Sequence, residues 1–369
     1  MLRWAFKSLI AEPLSFLLTA LVLGVALVLV IFFEAVFAGE SENIIAYPKS
    51  INTDVWVMQR GIFNMHMATS FIWDWKRDRV SGIEGVEKVT PILYLNSIVE
   101  AGNKRWFSFI VGLVENDKRA GPWKMASGKP YPDNGEAVIP KILADKSGLK
   151  LGEVVRIANK IFKVVGLSED TFSMANSVTF ITYSDLREIM SLTGSDSYLL
   201  VDAVPGTDPE LLAERIRNEV EKINALPSNE FIKNDREMAM QMGVELIGIM
   251  TIIGAALAIS LSMFMLYVFA ARKRRDLAIL KALGVSNGAV YLSTIFQASC
   301  LAITGLLIAV VLVYAAIPLT DSFAPQITLQ ITGSSLLRLS LVTIVVAVLA
   351  SLIPVRQVMK IDPLLAFQR

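Results

Sequence analysis

Phosphate binding, metal ligation and acid–base catalysis each need particular side chains at particular spacings. A phosphate loop needs GxxxxGK followed by Ser or Thr, so that backbone N–H groups cradle the phosphates and a hydroxyl reaches Mg²⁺. The nearest run is "GPWKMASGKP", with Gly121 and Gly128 too far apart and Pro130 where the hydroxyl belongs. It provides no ATP site of that kind. His66 is the single histidine, too few for a zinc site or a His-based triad. "NMHMATSF" places Met65 and Met67 beside it as soft donors for copper, but neighbours on one loop rarely converge on one ion, so packing or loop surface is the simpler reading. Cys300 is the only cysteine, which excludes an intrachain disulfide and any CxxC site; it stands in an apolar run and reads as an inert buried thiol. No catalytic residue, bound cofactor or metal ligand is therefore expected on this chain.

What the sequence does provide is membrane. Of 369 residues, 54% are hydrophobic and 19% charged, against about 25% charged in ordinary soluble domains. Mean hydropathy is +0.53. The net charge of +1 offers no case for nucleic acid, because the basic residues are clustered rather than abundant. Four stretches meet the length of about 20 apolar residues that a bilayer requires: Leu14–Phe33, Leu246–Ala271, Gly288–Pro318 and Leu339–Val355. None holds an Asp, Glu, Lys, Arg or His, so the ionisable groups that ion-coupled transporters carry in their spans are missing. Gln297, Tyr314 and scattered Ser and Thr read as helix–helix contacts. The first stretch exceeds a signal-peptide core and is read as an uncleaved span, despite the "VFA" near its end.

Lys and Arg set the orientation. Arg3 and Lys7 precede the first span; Arg272, Lys273, Arg274, Arg275 and Lys281 separate the second and third; Arg356, Lys360 and Arg369 follow the fourth. The loop "LTDSFAPQITLQITGSS" has neither. Both termini and the basic loop are thus expected in the cytoplasm. The expected division is a cytoplasmic amphipathic helix 1–13, spans 14–37, 243–271, 288–318 and 336–355, an extracytoplasmic domain with stalk 38–242, a cytoplasmic helix 272–287, an external loop 319–335 and a tail 356–369.

Between spans one and two the pattern changes to short strand and helix signals. "ILYLNSIVEAG" and "RWFSFIVGLV" alternate as strands. "GEVVRIANKIFKVVGL" reads as a hairpin turning at Asn159–Lys160. "DPELLAERIRNEVEKIN" reads as a helix capped by Asp208, with Pro209 first and Leu211, Leu212 and Ile216 on one face. "FIWDWKRDR" presents Trp73 and Trp75 among charges, as an amphipathic helix for a partner or headgroups or as self-packing. The mixture implies an α+β domain. From Asp235 to Ala271 no Pro occurs, so span two is expected to begin as a stiff helical stalk outside the bilayer, and span one to continue through Glu34–Ile45.

"YVFAARKRRDLAILKALGVSN" is where an apolar span stops at four consecutive basic residues. Burying four such charges at a bilayer centre would cost on the order of 10 kcal/mol, so Arg272–Arg275 mark a membrane edge. Leu277, Leu280 and Leu283 recur every three residues, with Arg274 and Lys281 on another face. Gly284 can stop this helix in the left-handed conformation and Ser286 can cap the next. Two readings stay open: a helix that anchors to anionic lipid, or a handle for a protein partner.

"RRDLAILKALGVS" resembles the cytoplasmic loop of the FtsX-like/MacB-like permeases of ABC transporters, of the form R-x-x-E-[IL]-[AG]-[IL]-[RL]-[KR]-A-[LI]-G-[AV]-[ST]. "IPVRQVMKIDPLLAFQR" resembles that family's tail through Pro354, Arg356, Lys360, Asp362, Pro363 and Arg369. Asp276 stands where the family usually has Glu, and Gln297 where Glu is frequent. The resemblance covers essentially the whole chain. It implies an α-helical membrane protein with four transmembrane helices and an α+β extracytoplasmic domain inserted between helices one and two, in a bacterial inner membrane. It further implies a non-catalytic subunit whose coupling helix, through Arg274, Arg275, Asp276, Leu277, Leu280, Lys281, Leu283 and Gly284, engages a separate cytoplasmic ATPase. ATP and Mg would be bound by that partner, two permease chains would pair as a homodimer, and a periplasmic adaptor or fusion protein is a further partner of the family type. The expected work is mechanotransmission to the extracytoplasmic side, as efflux or extraction of a lipid, lipoprotein, peptide or drug. The alternatives are a signalling permease that regulates a cell-wall hydrolase, and a receptor without a motor.

Overall fold

The computed structural model describes residues 2–66, 69–115, 117–172, 177–191, 194–241, 245–324 and 327–359. In chain order the helices α1 (Leu2–Ala11), α2 (Pro13–Asn43) and α3 (Ala46–Ser50) lead into β1 (Val55–Gln59) and β2 (Ile72–Trp73). Next come α4 (Asp74–Ser81), β3 (Val86–Ala101), β4 (Lys104–Leu113), β5 (Met125–Gly128), β6 (Glu136–Pro140) and α5 (Lys141–Ser147). They are followed by β7 (Val154–Ile157), β8 (Lys160–Ser168), β9 (Val178–Thr182), α6 (Tyr183–Met190), β10 (Ser195–Asp196) and β11 (Tyr198–Ala203). Then α7 (Pro209–Glu219), β12 (Ile223–Pro227) and α8 (Ser228–Ala239) precede the long helices α9 (Glu245–Arg272), α11 (Asn287–Phe323) and α12 (Gly333–Met359), with the short α10 (Arg274–Ala282) after α9. The chain divides into a helical unit (1–39, 246–324, 329–369) and an α+β unit (40–245, 325–328).

The α+β unit is built on a sheet of ten strands among the described residues, in the order β12-β1-β11-β3-β4-β9-β6-β8-β5, with β7 bridging β3 and β8. β3 is its spine. Its first half pairs with β11 (Tyr198↔Ile92 to Ala203↔Val86), its second with β4 (Leu93↔Gly112 to Ala101↔Lys104). β1 is buried at four successive residues, Val55 to Met58, because both faces are covered. Val55 and Val57 face Leu212 and Ile216 of α7; Trp56 and Met58 join Tyr94, Tyr198 and Phe231 on the other side. The Trp56 and Phe231 rings stack at 4.4 Å, which seats α8 on the sheet.

The anticipated α7 forms, with Asp208 accepting from the Glu210 N–H and Pro209 in the first turn. Its buried face is Leu212, Ala213 and Ile216, whereas Leu211 is 61% exposed, a correction to the expected face: one residue is 100° of rotation, and the i, i+4 pair Leu212/Ile216 fixes the side that packs. The β7–β8 hairpin also forms, but Ile157 pairs with Lys160, so the turn is Ala158–Asn159, one residue earlier than expected. Ala158 takes φ +50° there.

In the helical unit, α2, α9 and α11 are long and apolar enough to cross a membrane, over Pro13–Asn43, Leu246–Phe269 and Asn287–Thr320. α12 has a shorter apolar run, Gly333–Leu349. Arg338 and Arg356 bound the apolar stretch of α12, and the 17 residues between them rise about 26 Å, slightly short of a hydrocarbon core of about 30 Å. α2 continues through Glu34 and ends at Asn43, two residues short of the expected Ile45. α2 and α11 cross at Gly24 and Gly305: a Cβ on Gly24 would lie 2.8 Å from Ile308 Cγ2, and one on Gly305 2.9 Å from Leu23 Cβ. Only glycine permits that approach. The stalk's junction at 242–244, and Gly243 with it, lies outside the described residues.

Candidate functional site: the α10 platform

α10 begins one residue after α9 ends, with Lys273 between them. Its end is a Schellman turn: Gly284, at φ +86°, donates its N–H to the Lys281 carbonyl at 3.0 Å, and Val285 donates to the Leu280 carbonyl at 3.1 Å. Leu280 and Val285 belong to one apolar cluster with Leu277, Val290, Trp4 and Tyr291, the contact that usually accompanies such a turn. The chain then extends at Ser286, the N-cap of α11, whose side chain makes no capping bond. α10 is thus closed at both ends by defined turns within its unit.

Its faces are distinct. Leu277 is 1% exposed, and Leu280 is half-buried in the same cluster. This corrects the expectation that Leu277 contacts a partner: it is spent on Val290 and Trp4 and holds α10 to the helical unit. Leu283 is 76% exposed and Ile279 37%, four residues apart and therefore neighbours on the outer surface. Arg275 and Asp276 are exposed and Lys281 half-buried; the Arg274 side chain lies outside the described residues. Asp276 sits in the first turn of α10, where a carboxylate complements the helix dipole. Outwardly, then, α10 offers two aliphatic side chains flanked by charges of both signs.

Beneath it lies a feature that the charge pattern concealed. Lys273, one of the four basic residues read as a membrane edge, is only 4% exposed. Its Nζ donates to Glu12 Oε1 at 2.7 Å and to the Ser8 carbonyl at 3.4 Å, at the C-terminal end of α1. Gln297 of α11, buried, donates from Nε2 to the Ala5 carbonyl at 3.3 Å. Trp4 completes the tie by packing into the Leu277 cluster. α1, α10 and the start of α11 form one braced platform, with Leu2, Phe6 and Ile10 of α1 exposed as an apolar stripe at i, i+4, i+8. The pattern Leu2/Phe6/Ile10 was the available signal for α1; nothing local pointed to Lys273 as its partner. Of the tail residues, Lys360, Asp362, Pro363 and Arg369 lie outside the described residues, α12 includes Arg356, which is exposed, and the Pro354 side chain is not described.

In the α+β unit, His66 is a core residue. Its Nδ1 lies 2.9 Å from Asp235 Oδ2, and Asp235 Oδ1 accepts from the Met65 and His66 N–H groups at 2.7 and 3.1 Å. Its ring meets Phe109 edge-on at 5.1 Å. Asp235 is fully buried, and so ties the 64–66 loop to α8. Met67 lies outside the described residues.

A family model described as the MacB-like periplasmic core domain matches residues 16–219, and one described as the FtsX-like permease C-terminal matches 248–363, which includes α10. The chain belongs to the MacB-like/FtsX-like permeases of ABC transporters. It is 23% identical over 370 residues to an uncharacterized ABC transporter permease of Mycobacterium tuberculosis, which covers 99% of this chain and 97% of that protein. It is 21% identical over 230 residues to an uncharacterized ABC transporter permease of Methanocaldococcus jannaschii, covering 58% of this chain and 57% of the relative. Among solved structures, the periplasmic region of MacB from Actinobacillus actinomycetemcomitans is similar at 14% identity and a TM-score of 0.38, over 52% of this chain and 96% of that one. This permease is accordingly a membrane protein that carries a MacB-like α+β unit between its first two apolar helices.

Proposed function

We propose that this permease transmits ATP hydrolysis by a separate cytoplasmic ATPase to work on the far side of a bacterial inner membrane, and that α10 is the seat of that ATPase. α12 serves as the fourth span, both termini and α10 are cytoplasmic, and two copies pair in the membrane. The observation that carries the reading is the construction of α10. A nine-residue helix is fixed at both ends, braced from below through Leu277 and Lys273, and keeps Ile279 and Leu283 outward. A helix that merely anchored to lipid would not need its inner face locked to α1 and α11; a handle that transmits force would. ATP and Mg belong on the partner, since the sequence has no phosphate loop of the GxxxxGK[ST] type. The apolar helices contain no charged run for ion coupling, which agrees with mechanical work done outside them.

Export or extraction of a substrate such as a lipid, lipoprotein, peptide or drug is the first reading, and regulation of a cell-wall hydrolase the alternative. The test is co-expression with a cytoplasmic ABC ATPase that co-purifies with it. Turnover that rises in the presence of the full-length permease, and an accumulation defect in a deletion strain, support it. ATP turnover indifferent to the permease would refute it.

A further inference from the structure

We propose that the helical unit holds one anionic phospholipid, its headgroup phosphate on Arg272 and an acyl chain in the groove between α2 and α9. The inference rests on this chain being a membrane protein and not on ATPase coupling.

The groove follows from how these two helices run. Near the end of α2 they touch: a Cβ on Gly254 would lie 3.5 Å from Phe33 Cδ2, and one on Gly248 3.5 Å from Phe37 Cε2. Toward the start of α2 and the end of α9 they leave a cavity of about 370 Å³ between them. Leu14, Leu18 and Val22 line it from α2 at i, i+4 and i+8; Met265, Phe269 and Arg272 line it from α9 at i, i+4 and i+7. The helices are antiparallel, so Leu14 and Arg272 stand at one end and Val22 and Met265 at the other. From Leu14 to Val22 the rise is about 12 Å, longer than any side chain a facing helix could insert. Leu14 is 71% exposed and Leu18 53%, whereas Phe269 is buried, so the groove is entered from its α2 side. Thr19 also borders it, but its Oγ1 donates to the Ser15 carbonyl at 2.7 Å within its own helix and asks nothing of a ligand. A long, narrow apolar groove of this volume lies within the range of about 300–1,000 Å³ that ligand sites occupy, and its shape suits an unbranched chain.

The charge at its mouth identifies the headgroup. Arg272 is the only charged residue of the lining, and it stands three residues beyond Phe269, where the apolar span of α9 ends. It is exposed, and its guanidinium is paired with none of the described residues. The next residue, Lys273, is its opposite: buried, and bound to Glu12 at 2.7 Å. Glu12, the acid closest to Leu14 in sequence, is therefore already engaged, and Asp276, in the first turn of α10, makes no ion pair with Arg272. An Arg at the edge of an apolar span, above an open apolar groove, presents two parallel N–H donors to a phosphate oxygen pair. The surrounding excess of cations, Arg272, Lys273 and Arg275 with Arg274 against Asp276 and the engaged Glu12, favours a lipid with net negative charge. The same excess argues against a second copy of the chain as the occupant, since side-by-side pairing in a membrane sets like levels together and would bring cations to Arg272.

The test is native mass spectrometry of the full-length permease released from nanodiscs that hold phosphatidylglycerol and phosphatidylcholine in equal amounts. One phosphatidylglycerol per chain should be retained several-fold over phosphatidylcholine. Arg272→Gln should lower that preference several-fold, and Leu18→Trp, which fills the groove, should lower retention of both lipids. Leu257→Trp, exposed on α9 and outside the lining, should retain lipid like the parent. Arg272 and Leu18 are exposed, so both variants should melt like the parent, and either one alone decides the outcome. Equal retention of the two lipids overturns the assignment to anionic lipid. Retention that neither variant changes overturns the site and leaves adventitious annular lipid only. Leu18→Cys in a Cys300→Ser background that forms a disulfide between two copies in native membranes would place a second chain on the groove and also overturn it. No ATPase enters these measurements, so failure of the α10 reading would leave them unchanged.

Discussion

Leu283→Asp and Leu277→Ala, six residues apart at the C-cap and within α10, should fail in opposite ways. Leu283 is 76% exposed, so a change there costs folding no more than about 0.5 kcal/mol. Burying a Leu side chain contributes about 1.5–3 kcal/mol, and the exposed share of Leu283 available to a partner is then about 1–2 kcal/mol. Losing it weakens ATPase association about 5- to 30-fold, and the Asp carboxylate desolvated in an apolar seat adds to that. Leu277 is 1% exposed, and its truncation removes a core contact at about 2–5 kcal/mol. The assay pairs thermal unfolding of the purified permease with ATPase affinity and turnover in nanodiscs. Leu283→Asp should melt like the parent and lose partner affinity; Leu277→Ala should melt earlier. A folded Leu283→Asp protein with unchanged affinity and turnover refutes the assignment of the outer face of α10.

Other outcomes follow from separate parts of the molecule. Gly305→Val should lower thermal stability by about 1–3 kcal/mol through the α2–α11 crossing, whereas Gly288→Val, with nothing within 4 Å of its Cβ, should not; equal melting would contradict the close approach. Burial raises the pKa of Asp117, but hydrogen bonds from Lys88, Thr90 and the Arg119 backbone, with the Arg119 charge, outweigh that and hold it at about 2. Its folded pKa is depressed, so its contribution is present above the ordinary value of 3.8 and lost as pH falls toward about 2; acid unfolding of Asp117→Asn should lack that step. Lys273→Met, which removes the bond to Glu12, should free α1 and raise proteolysis within 2–11 while the α+β unit is untouched; unchanged cleavage would count against the brace. A cysteine at Gln330 should label from outside intact cells and one at Ser286 only after permeabilisation, and the reverse would invert the orientation.

How far the sequence could be read depended on the range of the interactions. Apolar length gave the long helices because backbone satisfaction in lipid is a local demand. The Schellman end of α10 was equally local, needing only Gly284 after a helical run. Contacts across many residues were not legible. The Lys273 tie reaches Glu12 across 261 positions, and Asp235 reaches His66 across 169, and no short pattern encodes either. The face of α10 was misread for the same reason: three Leu at equal spacing look alike until Trp4 and Val290 claim Leu277. The parallel pairing of β4 with β9, from Phe109↔Val178 to Leu113↔Thr182, likewise depends on the whole sheet. Trp73 and Trp75, for which both a partner-facing helix and self-packing were open, are more than half exposed, which the local pattern of rings among charges left undecided.

The central claim is that α10 is held by a nucleotide-hydrolysing partner. A photo-crosslinking amino acid at Leu283, in the intact complex within native membranes, tests it most directly. The account predicts a single adduct of permease and ATPase, absent when the crosslinker replaces buried Leu277. Crosslinking at 283 only to lipid, or to no protein at all, would contradict it.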